Sequence, residues 1–130
     1  MAPYSIIIEC NYEEFWRYNL AVSGVVMQSG GRVEFVKHLD EVAAVCSNLE
    51  ECPKTYNRPK LLQLTTCSGD AITLYIYVIP HTLPLSRTVE ECRPFDMRVT
   101  IKHGDNTIYN RHHEINQWSG DNIEIKFEGI

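Results

Sequence analysis

The last third of the chain, Phe95 to Ile130, alternates apolar and polar residues between two Gly-Asp-Asn sequences at 104–106 and 120–122. Successive side chains of an extended chain point to opposite faces, so strict alternation predicts strands with one buried face. Gly, Asp and Asn are the residues that tight turns favour. The pattern therefore predicts antiparallel strands joined by turns, and it is typical of a scaffold rather than of a reaction centre.

Three strands follow from this pattern. The first begins near Phe95, the second runs from Thr107 to Ile115, and the third follows the loop Asn116 to Asn122. The residues predicted to point inward from the first and third strands are Met97, Val99, Ile101, Ile123, Ile125 and Phe127. Because the residues between them are mostly polar or charged, each strand is expected to cover one side of a core.

The N-terminal part of the chain predicts one strand and one segment with two interpretations. Tyr4 to Cys10 is rich in residues that favour strands. Residues 12–22 fit an amphipathic helix capped by Asn11, and they also fit an alternating strand, so periodicity alone does not decide. In both interpretations Trp16 is a core residue. Gly24 is expected to interrupt the segment.

The middle of the chain predicts a hairpin and a helix. Ser29-Gly30-Gly31 has the composition of a tight turn between Val25–Gln28 and Arg32–Lys37. Asp40 to Cys52 is the best helix candidate, because its first residue can cap a helix and its apolar residues recur at helical spacing. Pro53 would end that helix.

A second hairpin is predicted further on. Leu61–Thr66 is expected to pair with Ala71–Ile79 through the turn Ser68-Gly69-Asp70. Ala71–Ile79 is apolar on both sides, so it is expected to be a central strand covered on both faces. Pro53 to Pro59 is predicted to be a polar loop, and Pro80 to Pro94 a long connection across one end or edge of the sheet.

These elements predict a mainly β fold, an antiparallel β-sandwich of seven or eight strands with one or two short helices. So many strands in 130 residues are expected to pack as two layers, because a single open sheet would leave one face in water. The alternative is an α+β fold with helices on one face of an antiparallel sheet. No repeat or linker divides the sequence, so residues 1–130 are expected to form a single domain.

Composition bounds the function. Twelve basic and seventeen acidic residues give a net charge of −5, which opposes attraction to polyanions, so neither nucleic acid nor an anionic membrane is an expected partner. Met1 to Cys10 has no basic residue and only a short apolar run, unlike a secretory signal. A cytoplasmic location is therefore expected.

The five cysteines are expected to be free thiols, mostly buried, because an odd number cannot all pair within one chain. They are Cys10, Cys46, Cys52, Cys67 and Cys92. None forms a Cys-x-x-Cys pair, the spacing that zinc sites usually show. We therefore expect no metal and no cofactor.

The loop from Asn116 to Asn122 contains the candidate binding site. Trp118 offers a flat apolar surface, and amides and a carboxylate surround it, a combination that binds protein partners and sugars. The residues predicted to contact a ligand are Trp118, Asn116, Asp121 and Asp105. A purely structural role for Trp118, closing one end of the core, is the alternative.

The histidines near the C-terminal hairpin are a weaker candidate site. His112 and His113 are adjacent on a predicted strand and therefore point to opposite faces, while His103 lies at the other end of the hairpin. Cys67 lies in a predicted turn whose residues the turn itself requires. No motif for nucleophilic catalysis occurs, so no catalytic residue is predicted.

The leading hypothesis is a non-catalytic module that binds a protein surface or a glycan through loops at one end of the scaffold. The second hypothesis is a small enzyme whose site combines His81, His112 or His113 with Cys67 or an acid, brought together only by the fold. The third is a subunit of a larger assembly, including a homo-oligomer, in which another chain covers an apolar face or a sheet edge.

Overall fold

The computed structural model describes residues 2–56 and 59–128, which form eight strands and two short 3-10 turns. The strands are β1 (Ala2–Cys10), β2 (Tyr18–Met27), β3 (Val33–Asp40), β4 (Lys60–Gly69), β5 (Ala71–Pro80), β6 (Phe95–His103), β7 (Asn106–Ile115) and β8 (Asp121–Glu128). The 3-10 turns are Phe15–Arg17 and Val89–Glu91. With 61% strand and 5% helix, the chain is the predicted β-sandwich and not the α+β alternative.

The strands form two antiparallel sheets of four. Sheet A has the order β4-β1-β6-β7, and sheet B has the order β3-β2-β5-β8. Strand pairing places residues 11–17, 41–56, 81–94 and 116–120, which belong to the four longer connections, at the same end of both sheets. We call this the loop end. The opposite end carries the short turns at 28–32, 70 and 104–105.

The core lies between the sheets and consists of alternate residues from β1, β2, β5, β6 and β8. Its members include Ile6, Ile8, Leu20, Val22, Ile72, Leu74, Ile76, Met97, Val99, Ile101, Ile123 and Ile125. The inward positions predicted for β6 and β8 are confirmed, although Phe127 is only partly buried. Trp16 is buried as expected.

The segment with two interpretations is a strand over most of its length. After the 3-10 turn, β2 begins at Tyr18 and continues to Met27 without a break. Gly24 does not interrupt it, because it pairs with Val36 of β3 and with Leu74 of β5. The hairpin predicted around Ser29-Gly30-Gly31 is confirmed as the β2–β3 pair.

The helix predicted from Asp40 to Cys52 is wrong. Asp40 is the last residue of β3, and the segment that follows has no regular structure. Cys46 has a φ of 66°, which a helix does not allow. An isolated helix of this length is marginal in water, and here the groups of the segment bond to side chains of β2 and to His81 instead.

The predicted hairpin between Leu61–Thr66 and Ala71–Ile79 is also wrong. β4 pairs with β1 in sheet A, whereas β5 pairs with β2 and β8 in sheet B. The turn at Gly69 therefore carries the chain from one sheet to the other. A side chain at Gly69 would lie 2.2 Å from Val26, so only glycine allows the sheets to approach here.

The strand β5 is central in its sheet, as predicted, but it is not covered on both faces. Tyr75 and Tyr77 lie on the outer face of sheet B and are partly exposed. The long connection predicted from Pro80 to Pro94 is confirmed, and it crosses the loop end. The polar loop predicted from Pro53 to Pro59 includes residues 57–58, and the alternating stretch from Phe95 to Ile130 includes residues 129–130. These four residues lie outside the described part of the chain.

In residues 2–56 and 59–128 there is no helix with the length and apolar character that crossing a membrane requires.

Candidate functional site

Three buried polar side chains organise the loop end. They are Arg17, Asn19 and His81, which are 4%, 4% and 1% exposed. A buried polar group is costly unless it is hydrogen-bonded, so its partners reveal what it stabilises. In each case those partners include atoms of the long connections, which shows that these side chains hold the connections in place.

Asn19 fixes the connection that follows β3. Its Oδ1 accepts the backbone N–H groups of Val42 at 2.7 Å and Ala43 at 3.3 Å. Its Nδ2 donates to the carbonyl oxygen of Ala43 at 2.7 Å. One amide therefore satisfies three backbone groups of a segment that has no regular structure of its own.

His81 joins three connections. Its Nε2 lies 2.7 Å from the carbonyl oxygen of Trp16, which can only accept, so Nε2 carries the proton. Nδ1 therefore accepts a hydrogen bond from the hydroxyl of Ser47 at 2.8 Å. Backbone hydrogen bonds join the same segments. The N–H of Ser47 donates to the carbonyl of His81 at 2.7 Å, and the N–H of His81 donates to the carbonyl of Arg17 at 3.1 Å.

The Ser47 hydroxyl donates to the His81 imidazole, as an activated catalytic hydroxyl donates to its base, but here the pair has a structural role. Both ring nitrogens are occupied, and the imidazole is almost fully buried. A base that passes a proton to a substrate has to reach it. We therefore interpret the pair as an anchor between two connections.

Arg17 and Gln117 complete the organisation of the loop end. The guanidinium of Arg17 donates to the carbonyl of Leu83 at 2.8 Å and to Glu14 at 3.0 Å. The carbonyl of Gln117 accepts the Tyr18 hydroxyl at 2.6 Å, and its side-chain amide donates to the carbonyl of Arg93 at 2.6 Å. All four connections are thus linked by direct hydrogen bonds.

A cleft of about 380 Å³ opens among these connections. Its lining consists of Val45, Cys46, Ser47, Pro80, His81, Thr82, Leu83 and Trp118. We call it the Trp118 cleft. Two of its apolar side chains are strongly exposed, Val45 at 61% and Leu83 at 51%. The Trp118 cleft is therefore largely apolar, with a few polar groups at its wall.

Trp118 is partly buried, and its indole Nε1 has no hydrogen-bond partner among the described residues. A buried donor without an acceptor costs about 1–3 kcal/mol. The indole N–H of Trp118 is therefore a buried hydrogen-bond donor that the loop end leaves without an acceptor among the described residues.

Asn116 and Asp121 shape the Trp118 loop rather than leaving their oxygens free. Oδ1 of Asn116 accepts the backbone N–H of Trp118 at 2.8 Å and of Ser119 at 3.0 Å. Oδ1 of Asp121 accepts the N–H of Asn122 at 2.8 Å. The structure thus brings these two predicted residues next to Trp118, where they bond to the backbone of the loop itself.

Asp105 lies far from the other predicted contact residues. It occupies the turn between β6 and β7, at the end of the sandwich opposite to Trp118. The ten residues of β7 separate the two ends, a length of about 30 Å for an extended chain. The four predicted residues therefore do not form one site.

The residues of the enzyme hypothesis are also dispersed. His112 bonds to Asp96 on the outer face of sheet A, whereas His113 bonds to the Tyr109 hydroxyl at 2.7 Å on the opposite face of β7, as the sequence predicted. Cys67 is near the end of β4, away from the loop end and His81. A hydrogen bond with Glu34 raises the pKa of Cys67, the reverse of what a nucleophilic thiol needs.

The five cysteines are free thiols, as predicted, but only Cys10 is fully buried and Cys46 is exposed. Burial raises the pKa of Cys10 to about 11, which keeps it protonated at neutral pH. Within residues 2–56 and 59–128, no three His, Cys, Asp or Glu side chains gather in a way that could hold a metal ion.

Sequence reasoning did not find the polar anchors of the loop end. In the strand interpretation of residues 12–22, Arg17 and Asn19 alternate with apolar residues and would face outward. They are buried because residues 41–56 and 81–94 fold over the start of β2. The alternation of polar and apolar residues along a strand does not indicate whether a loop will cover the polar ones.

Searches of protein-family models, curated proteins and solved structures find no match to this chain. Its fold and loop end define a class of structure, an eight-stranded antiparallel β-sandwich with an apolar cleft between hydrogen-bonded connections.

Proposed function

We propose that this protein is a non-catalytic binding module that recognises an exposed segment of another protein in the Trp118 cleft. The observation that carries this proposal is the apolar lining of the Trp118 cleft, where Val45 is 61% and Leu83 51% exposed. Apolar side chains of a bound segment would cover this surface and remove it from water.

The lining of the Trp118 cleft favours a protein segment over a sugar. Val45, Pro80 and Leu83 are apolar, and a volume of about 380 Å³ suits one or two apolar side chains. Oδ1 of Asn116 and Oδ1 of Asp121 already accept hydrogen bonds from their own loop, which leaves these two atoms less suited to sugar hydroxyls.

The hydrogen bonds of the loop end support a binding role as well. Loops that must become ordered on binding lose affinity to conformational entropy. Here Asn19 and His81 hold the connection that carries Val45 and Ser47 before any ligand arrives. Little ordering would then oppose binding.

A glycan is the second candidate ligand, and a different cleft supports it. A cleft of about 360 Å³ lies where the outer face of sheet A meets the loop end, lined by Glu9, Asn11, Tyr12, Phe95, Asp96, Arg98 and His112. We call it the Tyr12 cleft. Its polar side chains beside an aromatic ring suit sugar hydroxyls and sugar faces.

Selection from a displayed peptide library would test the protein-segment proposal. We expect the enriched peptides to share an apolar residue. Trp118→Phe keeps an aromatic ring in the cleft and should weaken binding less than Trp118→Ala. Trp118→Ala should cost about 2 kcal/mol or more. Asp105→Ala, at the opposite end, is the matched control and should leave the affinity unchanged.

Two outcomes would contradict the proposal. Peptides that bind the Trp118→Ala variant as tightly as the native chain would place the site elsewhere. Absence of any enriched peptide, combined with glycan-array binding that His112→Ala abolishes and Trp118→Ala retains, would favour the Tyr12 cleft and its sugar ligand.

A further inference from the structure

The edge strand β3 exposes several large apolar side chains to solvent. Within the described residues it pairs only with β2, so its other edge has no strand beside it. Phe35 is 78% exposed, Leu39 56% and Val33 46%, and all three lie on the outer face of sheet B. Met27 of β2, at 46%, extends this apolar surface.

The other three edge strands carry features that oppose pairing with another chain, whereas β3 has a regular ladder and, apart from Lys37, an apolar outer face. Bulges and charges protect natural sheet edges. The β1–β4 and β6–β7 ladders each contain a register irregularity. β8 places Glu124, Lys126 and Glu128 along its outer face. The β2–β3 ladder runs through eight pairs without a shift, and no proline or bulge interrupts β3.

We propose that β3 pairs with β3 of a second copy of this chain, antiparallel, about a two-fold axis that passes through Val36. In such a pair, residues at equal distances from the axis lie opposite each other and on the same face. The opposed pairs are Val33 with Leu39, Glu34 with His38, Phe35 with Lys37, and Arg32 with Asp40. Every acidic side chain of β3 then faces a basic group or a hydrogen-bond donor.

Neighbouring registers lack this complementarity. Moving the axis one residue towards the C-terminus places Lys37 opposite its own copy and Glu34 opposite Asp40, which sets like charges together. Moving it one residue the other way places Arg32 opposite His38, so that neither acidic side chain meets a basic one. The register through Val36 is thus the one of the three that the charges favour.

The pairs Glu34–His38 and Arg32–Asp40 both contribute to this choice. Within its own chain Glu34 already hydrogen-bonds Cys67 and Asp40 already forms an ion pair with Lys60, so each carboxylate would accept a further hydrogen bond from the second copy. The imidazole of His38 can donate a hydrogen bond to a carboxylate in either protonation state. A second copy therefore suits this edge through both its apolar residues and its charges.

The resulting dimer has a continuous sheet of eight strands. Because the two β3 strands are antiparallel, the two loop ends point in opposite directions. Each copy then presents its own Trp118 cleft, and neither cleft is covered by the other copy.

Light scattering after gel filtration would test this proposal on the native chain over a range of concentrations. We expect the mass to rise towards twice the 15.0 kDa of one chain. Glu34→Lys should raise the dissociation constant at least about tenfold, because it places two basic groups opposite each other. His38→Glu should do the same by placing two carboxylates together. Combining Glu34→Lys with His38→Glu exchanges the charges and should restore the dimer.

Glu9→Lys is the matched control, since it makes the same change of net charge on the outer face of sheet A. It should leave the mass unchanged, and circular dichroism should show every variant folded. A chain that stays monomeric at millimolar concentration would overturn the proposal. A dimer that ignores Glu34→Lys, or that the charge exchange fails to restore in folded protein, would overturn it equally.

Discussion

At the scale of single residues, Asn19 shows how one buried amide can determine the course of a loop. We expect Asn19→Ala to lower the free energy of unfolding by about 2 kcal/mol, because three backbone groups at Val42 and Ala43 lose their partner. Asn110→Ala, at an exposed position on β7, is the control and should change it by less than about 0.5 kcal/mol. Denaturant unfolding measures both. Equal effects would show that Asn19 does not stabilise the connection.

The burial of His113 predicts that the stability of the protein depends on pH. Burial lowers the pKa of His113 below its usual 6.5, assisted by Arg111 and His112 and opposed by Asp121 and Asp96. The unfolded chain therefore binds the proton more readily, so stability rises with pH and is lost as the pH falls below about 6.5.

We expect His113→Gln to lose less stability between pH 7 and pH 5 than the native chain. Thermal or denaturant unfolding at several pH values measures this. Asn110→Ala, at an exposed position on β7 without an ionisable side chain, is the control and should retain the native pH dependence. Identical pH profiles for the two variants would contradict the assignment to His113.

At the scale of elements, Gly24 permits the close pairing of β2 with β5. A Cβ at this position would lie 2.4 Å from the carbonyl oxygen of Thr73, a backbone atom that cannot move without separating the strands. We expect Gly24→Ala to destabilise the protein by about 2 kcal/mol, in the range of overpacked cores. Ser23→Ala, next to it on the exposed face, should stay within about 0.5 kcal/mol. Loss of stability in neither variant would contradict this view.

The sequence predicted the strands of the C-terminal third well, because alternation between turns leaves little choice of structure. It failed where pairing depends on distant residues. Ser68-Gly69-Asp70 has the composition of a hairpin turn, yet it joins two sheets, and composition does not distinguish the two. Asp40 to Cys52 has helical spacing, but Asp40 ends β3, and backbone groups of the segment bond to Asn19 and His81 instead of forming a helix.

The residues of the candidate site, which remain a prediction, lie together only in part. Trp118, Asn116 and Asp121 are adjacent in sequence and also in the structure. Asp105 was grouped with them by composition, although strand pairing places it at the other end. The contribution of His81 and Leu83 to the same cleft depends on where a long connection folds, which local patterns do not encode.

At the scale of the whole molecule, the framework and the proposed binding site occupy different parts of the sandwich. The core between the sheets holds the framework, and polar side chains at one end hold the connections that form the Trp118 cleft. Dimerisation through β3 would leave the Trp118 cleft of each copy uncovered, so the dimer would carry two such clefts. The central proposal is that the Trp118 cleft, and no other surface, binds an apolar side chain of a partner.

The most direct test is a solution structure of the protein with a selected peptide, in which nuclear Overhauser effects report contacts between protons. We expect contacts from the apolar side chain of the peptide to the methyl groups of Leu83 and to the indole N–H of Trp118. Contacts confined to the outer face of either sheet, or to the turn at Asp105, would contradict the account.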